Sequence, residues 1–527
     1  MSRNLGQKLL LFAIVVMTGV NLWLATPPMA VADLSPRFDW PDETANYFWA
    51  VHFAREGNFV VAEPLNQVAS NQVHPRSFNV RTDGSLVPGS FLGMTLIYGT
   101  LAKVFSIHVL PYLTPILGAL GILAWYGILR RIFSNRVAAI ASVLALIHPA
   151  WWYYSATALL PNVPFVSLFL ISLYLIVRQP EHHRGPTWQF ILSGLALGCA
   201  IAIRPSEIIW VGALTLVVML YRRDSWSLIR FALFGAMVVL AFLPSIYYQQ
   251  LTYGNFLTSG YDQLSEVSPT ACQSCQIVES IILPFGFHPS LIAINVWTHL
   301  LSRVWWLTLL GVLGLIAYLV RTHRHNEAVF GYTLLSLFIG SWLATYYGSW
   351  QFSDQLTVAL NTLGLSYVRY WLPLYLLSTP FMALGLVWLT SLFKERYQKL
   401  GLIILVAAFI YPSARLVLYD KADSLFPVRD RVFGYTKTAD EVIRLTEPES
   451  VIITVRKDKV FFPERKVVHT FNALSEDGPL QVTVAGLLEE TPVYYYALGP
   501  EPILELPYQI KLEPLKTFGQ EILYRVK

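Results

Sequence analysis

Charge is what this chain has least of. Of its 527 residues, 38 are Lys or Arg and 33 are Asp or Glu, 13% in all, about half the share usual in a soluble domain. That shortage excludes an ordinary soluble enzyme. Cysteine is scarcer still, with three in the whole chain, which excludes a disulfide-built secreted scaffold. Neither a glycine-rich phosphate loop nor a histidine-rich zinc motif occurs, so nucleotide hydrolysis and metalloprotease chemistry lack support. There is no internal repeat and no low-complexity tract. An aromatic content of 14% excludes intrinsic disorder. The net charge of +5 does not mark a nucleic-acid binder, because the basic residues punctuate apolar runs.

The charge that is present is unevenly spread. Residues 420–527 hold 14 basic and 17 acidic residues, leaving 24 and 16 for the first 419 positions. The chain is therefore two materials, a long membrane-like part and a soluble-looking tail. A bilayer core about 30 Å thick needs roughly 20 apolar residues in a helix, and eleven runs approach that size: 9–26, 111–129, 137–155, 162–178, 189–203, 208–221, 231–249, 300–320, 328–347, 371–392 and 400–416. The connections 130–136, 178–189, 221–230, 321–327 and 394–399 are short and basic, as cytoplasmic loops are. The acidic residues Asp33, Asp39, Asp42, Glu43, Glu56, Glu63 and Asp83 crowd the opposite side. This predicts a multi-pass protein of the cell membrane with its amino terminus in the cytoplasm and its tail outside. Arg3, Lys8, the apolar stretch from Leu9 and Ala30-Val31-Ala32 also fit a cleaved signal peptide; retention of the first span is the reading adopted.

Two outer segments, 26–110 and 250–299, are too long to be mere connectors. Within the first, the apolar stretch 91–105 is expected to lie on the outer interface as an amphipathic helix, since making it a span would invert every later loop. In the tail, β-branched runs at 451–455, 467–470 and 492–496 alternate with a helical stretch at 438–446, giving an α/β or α+β domain. The fold class expected is thus a polytopic α-helical membrane protein of about eleven transmembrane helices over residues 1–418, with a functional first outer loop at 27–110. A small extracytoplasmic domain over 419–527 completes it.

The densest constellation of reactive side chains runs from Arg37 to Arg55. Pro41 suits the first position of a helix, and Asp42 and Glu43 then occupy its first turn, about 100° apart around the axis. Either the two carboxylates simply stabilise the helix start, or one leads chemistry and the other orients it.

Pro41-Asp42-Glu43-Thr44-Ala45-Asn46-Tyr47, directly after a first span and followed by Ala50 and Arg55-Glu56-Gly57, resembles the acidic signature in the first outer loop of GT-C glycosyltransferases. The protein O-mannosyltransferase and aminoarabinose-transferase branches are the kin it resembles. Three further stretches match in order. Asp83-Gly84-Ser85-Leu86-Val87-Pro88-Gly89-Ser90 resembles the end of that loop, and Leu159-Leu160-Pro161-Asn162-Val163-Pro164 falls where many relatives place a second acidic residue. Arg369-Tyr370-Trp371-Leu372-Pro373 resembles the start of a late span. Asn162 stands where that second carboxylate is expected, so a two-carboxylate metal arrangement is not reproduced.

The resemblance implies inverting transfer of one sugar, a hexose or pentose, from a polyprenyl-phosphate carrier to a glycan, lipid or protein acceptor on the outer face of the membrane. Asp42 would act as general base, with Glu43 beside it. A divalent cation, if the reaction uses one, would sit on this pair. Arg204, in Ile203-Arg204-Pro205-Ser206-Glu207, and Arg369 are the candidates for the departing lipid phosphate, with Arg76, Arg81, Lys103, His74 and Asn162 as further substrate-binding candidates. For each single cation the plainer reading is a snorkelling residue or one paired with an outer acid. Cys272-Gln273-Ser274-Cys275 reads as a small disulfide in an outer loop. The competing function is a lipid or glycolipid transporter, but transporters place polar sites at the midplane, whereas here the carboxylates gather outside.

Overall fold

The computed structural model describes residues 3–29, 31, 34–157, 159–178, 186–262, 283–321, 327–351, 362–469, 480–499, 505–506 and 510–527. All eleven apolar runs are mainly helical in their described residues. Among the described residues, six helices are long and apolar enough to cross a membrane: Gln7–Ala25, Ile107–Ile132, Leu228–Tyr253, Glu327–Gly348, Leu372–Ser391 and Glu395–Leu418. Three bent pairs bring the number to nine. The sequence count of eleven arises because Asn162–Val177, only 16 residues long, was included and because 187–203 and 208–221, bent by 112° at Arg204-Pro205, were counted separately. The run 137–155 is likewise not one rod: Pro149 lacks the amide hydrogen the helix would need, and the axis bends by 56° there. His148 caps the restart, its Nδ1 accepting the Ala150 N–H at 3.3 Å.

Contacts divide the chain into two compact units, each described by itself. The first comprises residues 1–25, 112–242 and 267–427; the second comprises 26–111, 243–266 and 428–527. The first outer loop thus groups with the tail, not with the spans. Cys272 and Cys275 lie outside the described residues.

The first unit is a helical bundle held by close backbone approach and a few hydrogen bonds, the forces available between apolar helices. Trp305–Arg321 and Leu372–Ser391 meet at glycines: a Cβ on Gly314 would overlap the Phe381 carbonyl and the Gly385 nitrogen. Elsewhere Ser172 and Ser193 pair at 3.0 Å between Asn162–Val177 and Thr187–Ile203, and Trp125 Nε1 donates to Thr379 at 3.2 Å.

The second unit is built on a mixed sheet of order β4-β3-β5-β8-β7-β6, with β3 (Val451–Thr454), β4 (Lys466–His469), β5 (Val493–Ala497), β6 (Glu505–Leu506), β7 (Ile510–Phe518) and β8 (Glu521–Val526). β3 runs parallel to β4 and β5, and the rest pair antiparallel. β3 and β5 are buried at every position because both faces of the sheet are covered. On one face Ile452, Val467, Tyr494, Tyr496 and Leu523 pack with Trp49, Phe53, Phe78 and Leu96 of the first loop. On the other, Val451, Ile453, Val468 and Tyr495 pack with Ala69, Val73, Val484 and Leu487. The stretch expected at 91–105 forms the helix Gly93–Val104, whose Gly99 abuts the Ala50 carbonyl and the Phe53 ring of helix Pro41–Glu56.

Filling the glycine contact should cost at least about 2 kcal/mol by overpacking. Gly314→Leu is expected to lower the thermal midpoint of the detergent-solubilised protein by several degrees, while Gly331→Leu, where a Cβ meets nothing within 4 Å, should leave it unchanged.

Candidate active site

The helix Pro41–Glu56 begins with Pro41 at its first position. Trp40 is the N-cap, in extended conformation (φ −96°, ψ 136°), and its side chain makes no capping bond. Asp42 and Glu43 therefore face the unsatisfied amides of the first turn, where negative charge is favoured. Their surroundings differ. Glu43 is 5% exposed; Asp42 is half-buried. Its Oδ1 accepts the Ser77 hydroxyl at 2.7 Å.

Ser77 is held in place by its backbone. It lies at φ 65°, a left-handed conformation uncommon outside glycine, just before β1 (Phe78–Val80), which pairs with β2 (Leu86–Pro88). Its carbonyl accepts the Gly89 N–H at 3.1 Å, and a Cβ on Gly89 would press on that carbonyl. Nothing in the sequence pointed to Ser77.

Around this pair lies a network of ions within the same unit. Asp39 takes both nitrogens of an Arg431 fork, at 2.8 and 2.7 Å, and Lys459 Nζ lies 3.6 Å from its Oδ1. Burial pushes the Asp39 carboxyl up, but the Arg431 hydrogen bond and the Lys459 charge outweigh it and hold the group below the ordinary carboxylate range. Arg76 is similarly engaged: its N–H and Nε donate to Asp458 at 2.9 and 2.8 Å, and Nη2 donates to the Arg456 carbonyl. Asp458 is 1% exposed; burial raises its pKa, Arg76 reverses this, and the net shift is downward. Arg37 pairs with Glu464 at 2.5 Å.

The other candidates of this unit are more loosely held. His74 Nδ1 lies 2.9 Å from the Pro75 carbonyl, and burial lowers its pKa. Arg81 lies 3.6 Å from Asp83 on an exposed turn, and Lys103 is exposed in the last turn of Gly93–Val104.

Arg204, Arg369 and Asn162 belong to the first unit. Arg204 is buried and engaged: Nε donates to Glu207 Oε1 at 3.1 Å and Nη2 to the Tyr347 hydroxyl at 2.9 Å. Glu207 also accepts from Trp210 Nε1 at 2.5 Å and from the Tyr347 hydroxyl. The Arg204 guanidinium sits 4.5 Å over the Tyr370 ring, and that of Arg369 lies 5.2 Å from the same ring. Tyr347 stacks on Tyr370 at 4.6 Å. Two arginines that the sequence proposed separately thus share one aromatic residue. Glu207, three residues after Arg204 in a proline turn, was a legible partner; Tyr347 was not. Asn162 opens the helix Asn162–Val177, 3% exposed, and its Oδ1 has no hydrogen-bond partner among the described residues.

No three His, Cys, Asp or Glu side chains converge as metal ligands among the described residues. Asp42 and Glu43 belong to no such group.

At the end of β4, His469 is half-buried. Burial pulls its pKa down to about 4; Asp458 opposes this, and Arg76, His74 and Arg456 reinforce it. An unfolded histidine binds its proton near about 6.5, so the folded unit is disfavoured once the unfolded chain protonates first. This contribution to stability is complete above about pH 6.5 and is lost as pH falls toward about 4. Thermal unfolding followed by tryptophan fluorescence should show the midpoint falling across that window, and His469→Gln should flatten part of the fall.

Residues 93–248 match the family described as dolichyl-phosphate-mannose-protein mannosyltransferase. No curated protein sequence matches the chain. Among solved structures it is similar to ArnT from Cupriavidus metallidurans bound to undecaprenyl phosphate, with a TM-score of 0.55 and 11% identity over 98% of this chain and 97% of that one. A weaker similarity, TM-score 0.48 and 12% identity over 93% of this chain and 69% of the other, is to the Archaeoglobus fulgidus oligosaccharyltransferase tethered with an acceptor peptide. The family match thus covers residues 93–248, and the fold of the chain is similar to that of ArnT.

Proposed function

We propose that the protein transfers a single sugar, with inversion, from a polyprenyl-phosphate carrier to an acceptor hydroxyl on the outer face of the membrane. The observation that carries this reading is the Asp42 carboxylate: half-buried, in the first turn of a helix, and oriented by Ser77 at 2.7 Å. A general base needs a fixed direction toward the proton it takes and access to the acceptor. Asp39, three residues away, lacks such freedom because Arg431 and Lys459 clamp it. In the proposed step the acceptor oxygen forms the new bond to the anomeric carbon, the bond from that carbon to the carrier phosphate breaks, and Asp42 receives the hydroxyl proton. The buried Glu43 orients the start of the helix.

The departing phosphate carries negative charge and requires a cation. Arg369 and Arg204, both beside Tyr370, take this role, with Arg204 fixed in direction by Glu207 and Tyr347. The solved similarity to ArnT bound to undecaprenyl phosphate supports a prenyl-phosphate carrier. Lys103, Arg81 and His74 are secondary substrate contacts in this reading, whereas Arg76 serves chiefly to hold Asp458. Asn162, with its unpartnered Oδ1 among the described residues, offers a neutral acceptor to a substrate hydroxyl. The amino terminus lies in the cytoplasm, and residues 419–527 form the extracytoplasmic domain.

Asp42→Asn is expected to abolish sugar transfer, measured with a radiolabelled prenyl-phosphate sugar, while expression and membrane insertion stay normal; full turnover in this variant would discard the mechanism. Ser77→Gly removes the hydroxyl and relieves the left-handed backbone, so kcat should fall about tenfold or more while thermal stability is kept or raised. A parallel fall of stability and activity would instead make Ser77 a purely structural residue.

A further inference from the structure

Arg303 is a buried cation that the proposed reaction does not use. It follows the π-helical turn Val296–Ser302 and lies at the 91° break between Pro289–Ser302 and Trp305–Val320. π-Helical turns and broken helices within apolar bundles occur where a site is lined. Arg303 is 7% exposed. Its Nη2 lies 3.4 Å from His299 Nδ1, while Nε and Nη1 are buried without a hydrogen-bond partner among the described residues. The carboxylates whose charge reaches it are those of Asp423 and Asp420. Neither forms an ion pair with it, and Asp423 Oδ2 is engaged by the Gly364 N–H at 2.6 Å. A guanidinium keeps its charge in proteins, so a buried one without a counter-ion is costly.

The neighbours offer the same chemistry. His299 is 3% exposed, its ring stacked 4.9 Å from that of Tyr367; its Nδ1 faces the guanidinium, which puts its own proton on Nε2. The Tyr375 hydroxyl donates to the His299 carbonyl at 2.8 Å, and the Tyr375 ring lies 4.6 Å from that of His148. His148 is 1% exposed. Because its Nδ1 accepts the Ala150 N–H, the neutral ring carries its proton on Nε2, and that atom also has no partner among the described residues. The unsatisfied atoms of this cluster are therefore all donors, and one of them is permanently charged. Their complement is a compact group rich in acceptor oxygens and negatively charged.

We propose that Arg303, with His299 and His148 around Tyr375, forms a binding site for an oxyanion of the phosphate class, carried by a lipid headgroup or free in solution. The site is distinct from the Arg204 and Arg369 cluster, although both border the helix Ser366–Tyr370. It does not rest on the sugar-transfer reading, and stands or falls by binding alone.

The test uses the full-length protein and two probes. Inorganic phosphate is titrated against the detergent-solubilised protein, with chloride at equal ionic strength as control and the thermal midpoint as readout. Retention of phosphatidylglycerol over phosphatidylcholine is measured by native mass spectrometry after release from mixed nanodiscs. Stabilisation by phosphate that weakens at least about tenfold in apparent affinity in Arg303→Gln supports a site open to free phosphate. Selective phosphatidylglycerol retention, lost in Arg303→Gln without a phosphate response in the wild type, supports the headgroup. Equal behaviour of wild type and Arg303→Gln with both probes overturns the site. If Arg303→Gln does not fold, His148→Phe, which keeps a ring against Tyr375 and removes the donor, is read the same way: weakened binding supports the site and unchanged binding overturns it.

Discussion

The second unit depends on two carboxylates kept ionised away from water. Asp458 is buried and Asp39 nearly so, yet each stays below the ordinary carboxylate range because an arginine supplied by another part of the chain lies against it. Arg431 reaches Asp39 across 392 positions of sequence and Arg76 reaches Asp458 across 382. Removing one partner of such a pair strands a buried charge, which is far more damaging than losing a surface ion pair. These pairs tie the first loop to the tail, beside the apolar contacts of Trp49, Phe53 and Phe78 with Ile452 and Tyr494.

The same arrangement explains how neighbouring acids acquire different roles. Asp39 is spent on cohesion, Glu43 is buried, and Asp42 is left on the turn between them with a serine hydroxyl to fix its direction. The left-handed backbone at Ser77 is a small local cost, offset by the β1–β2 ribbon and the close approach of Gly89. In the helical unit the corresponding economy is aromatic: Tyr370 serves two guanidinium groups at once, and Tyr347 braces both Tyr370 and Glu207.

Much of the helical unit was legible because a bilayer dictates run length and composition, and each of the eleven apolar runs is mainly helical in its described residues. Bends were less legible. Pro149 and Pro205 were visible, but a proline in an apolar run can kink a helix, cap a new one or begin a turn, and only packing decides. In the tail, the β-branched runs at 451, 467 and 493 became strands as expected. The polar, alternating segments that form β7 and β8 were not recognised, because β7 is exposed along much of its length and lacks a buried pattern. The acidic turn at Asp42 could be read from a local motif. The pairing of Arg76 with Asp458 could not, since no local rule links residues so far apart, and Arg76 by itself looked like any other outer-loop cation.

The covering of both sheet faces by the first loop has a consequence during synthesis. Residues 26–111 leave the ribosome more than 300 positions before residue 428. At about 5–20 residues per second that is roughly 15 to 60 s. For that interval the Trp49, Phe53 and Phe78 surface has no sheet to pack on, so the nascent loop is a client for a chaperone or the membrane surface. The two segments also form a single unit of inheritance: a tail exchanged between relatives without its matching loop would arrive with the wrong charges and the wrong apolar partners.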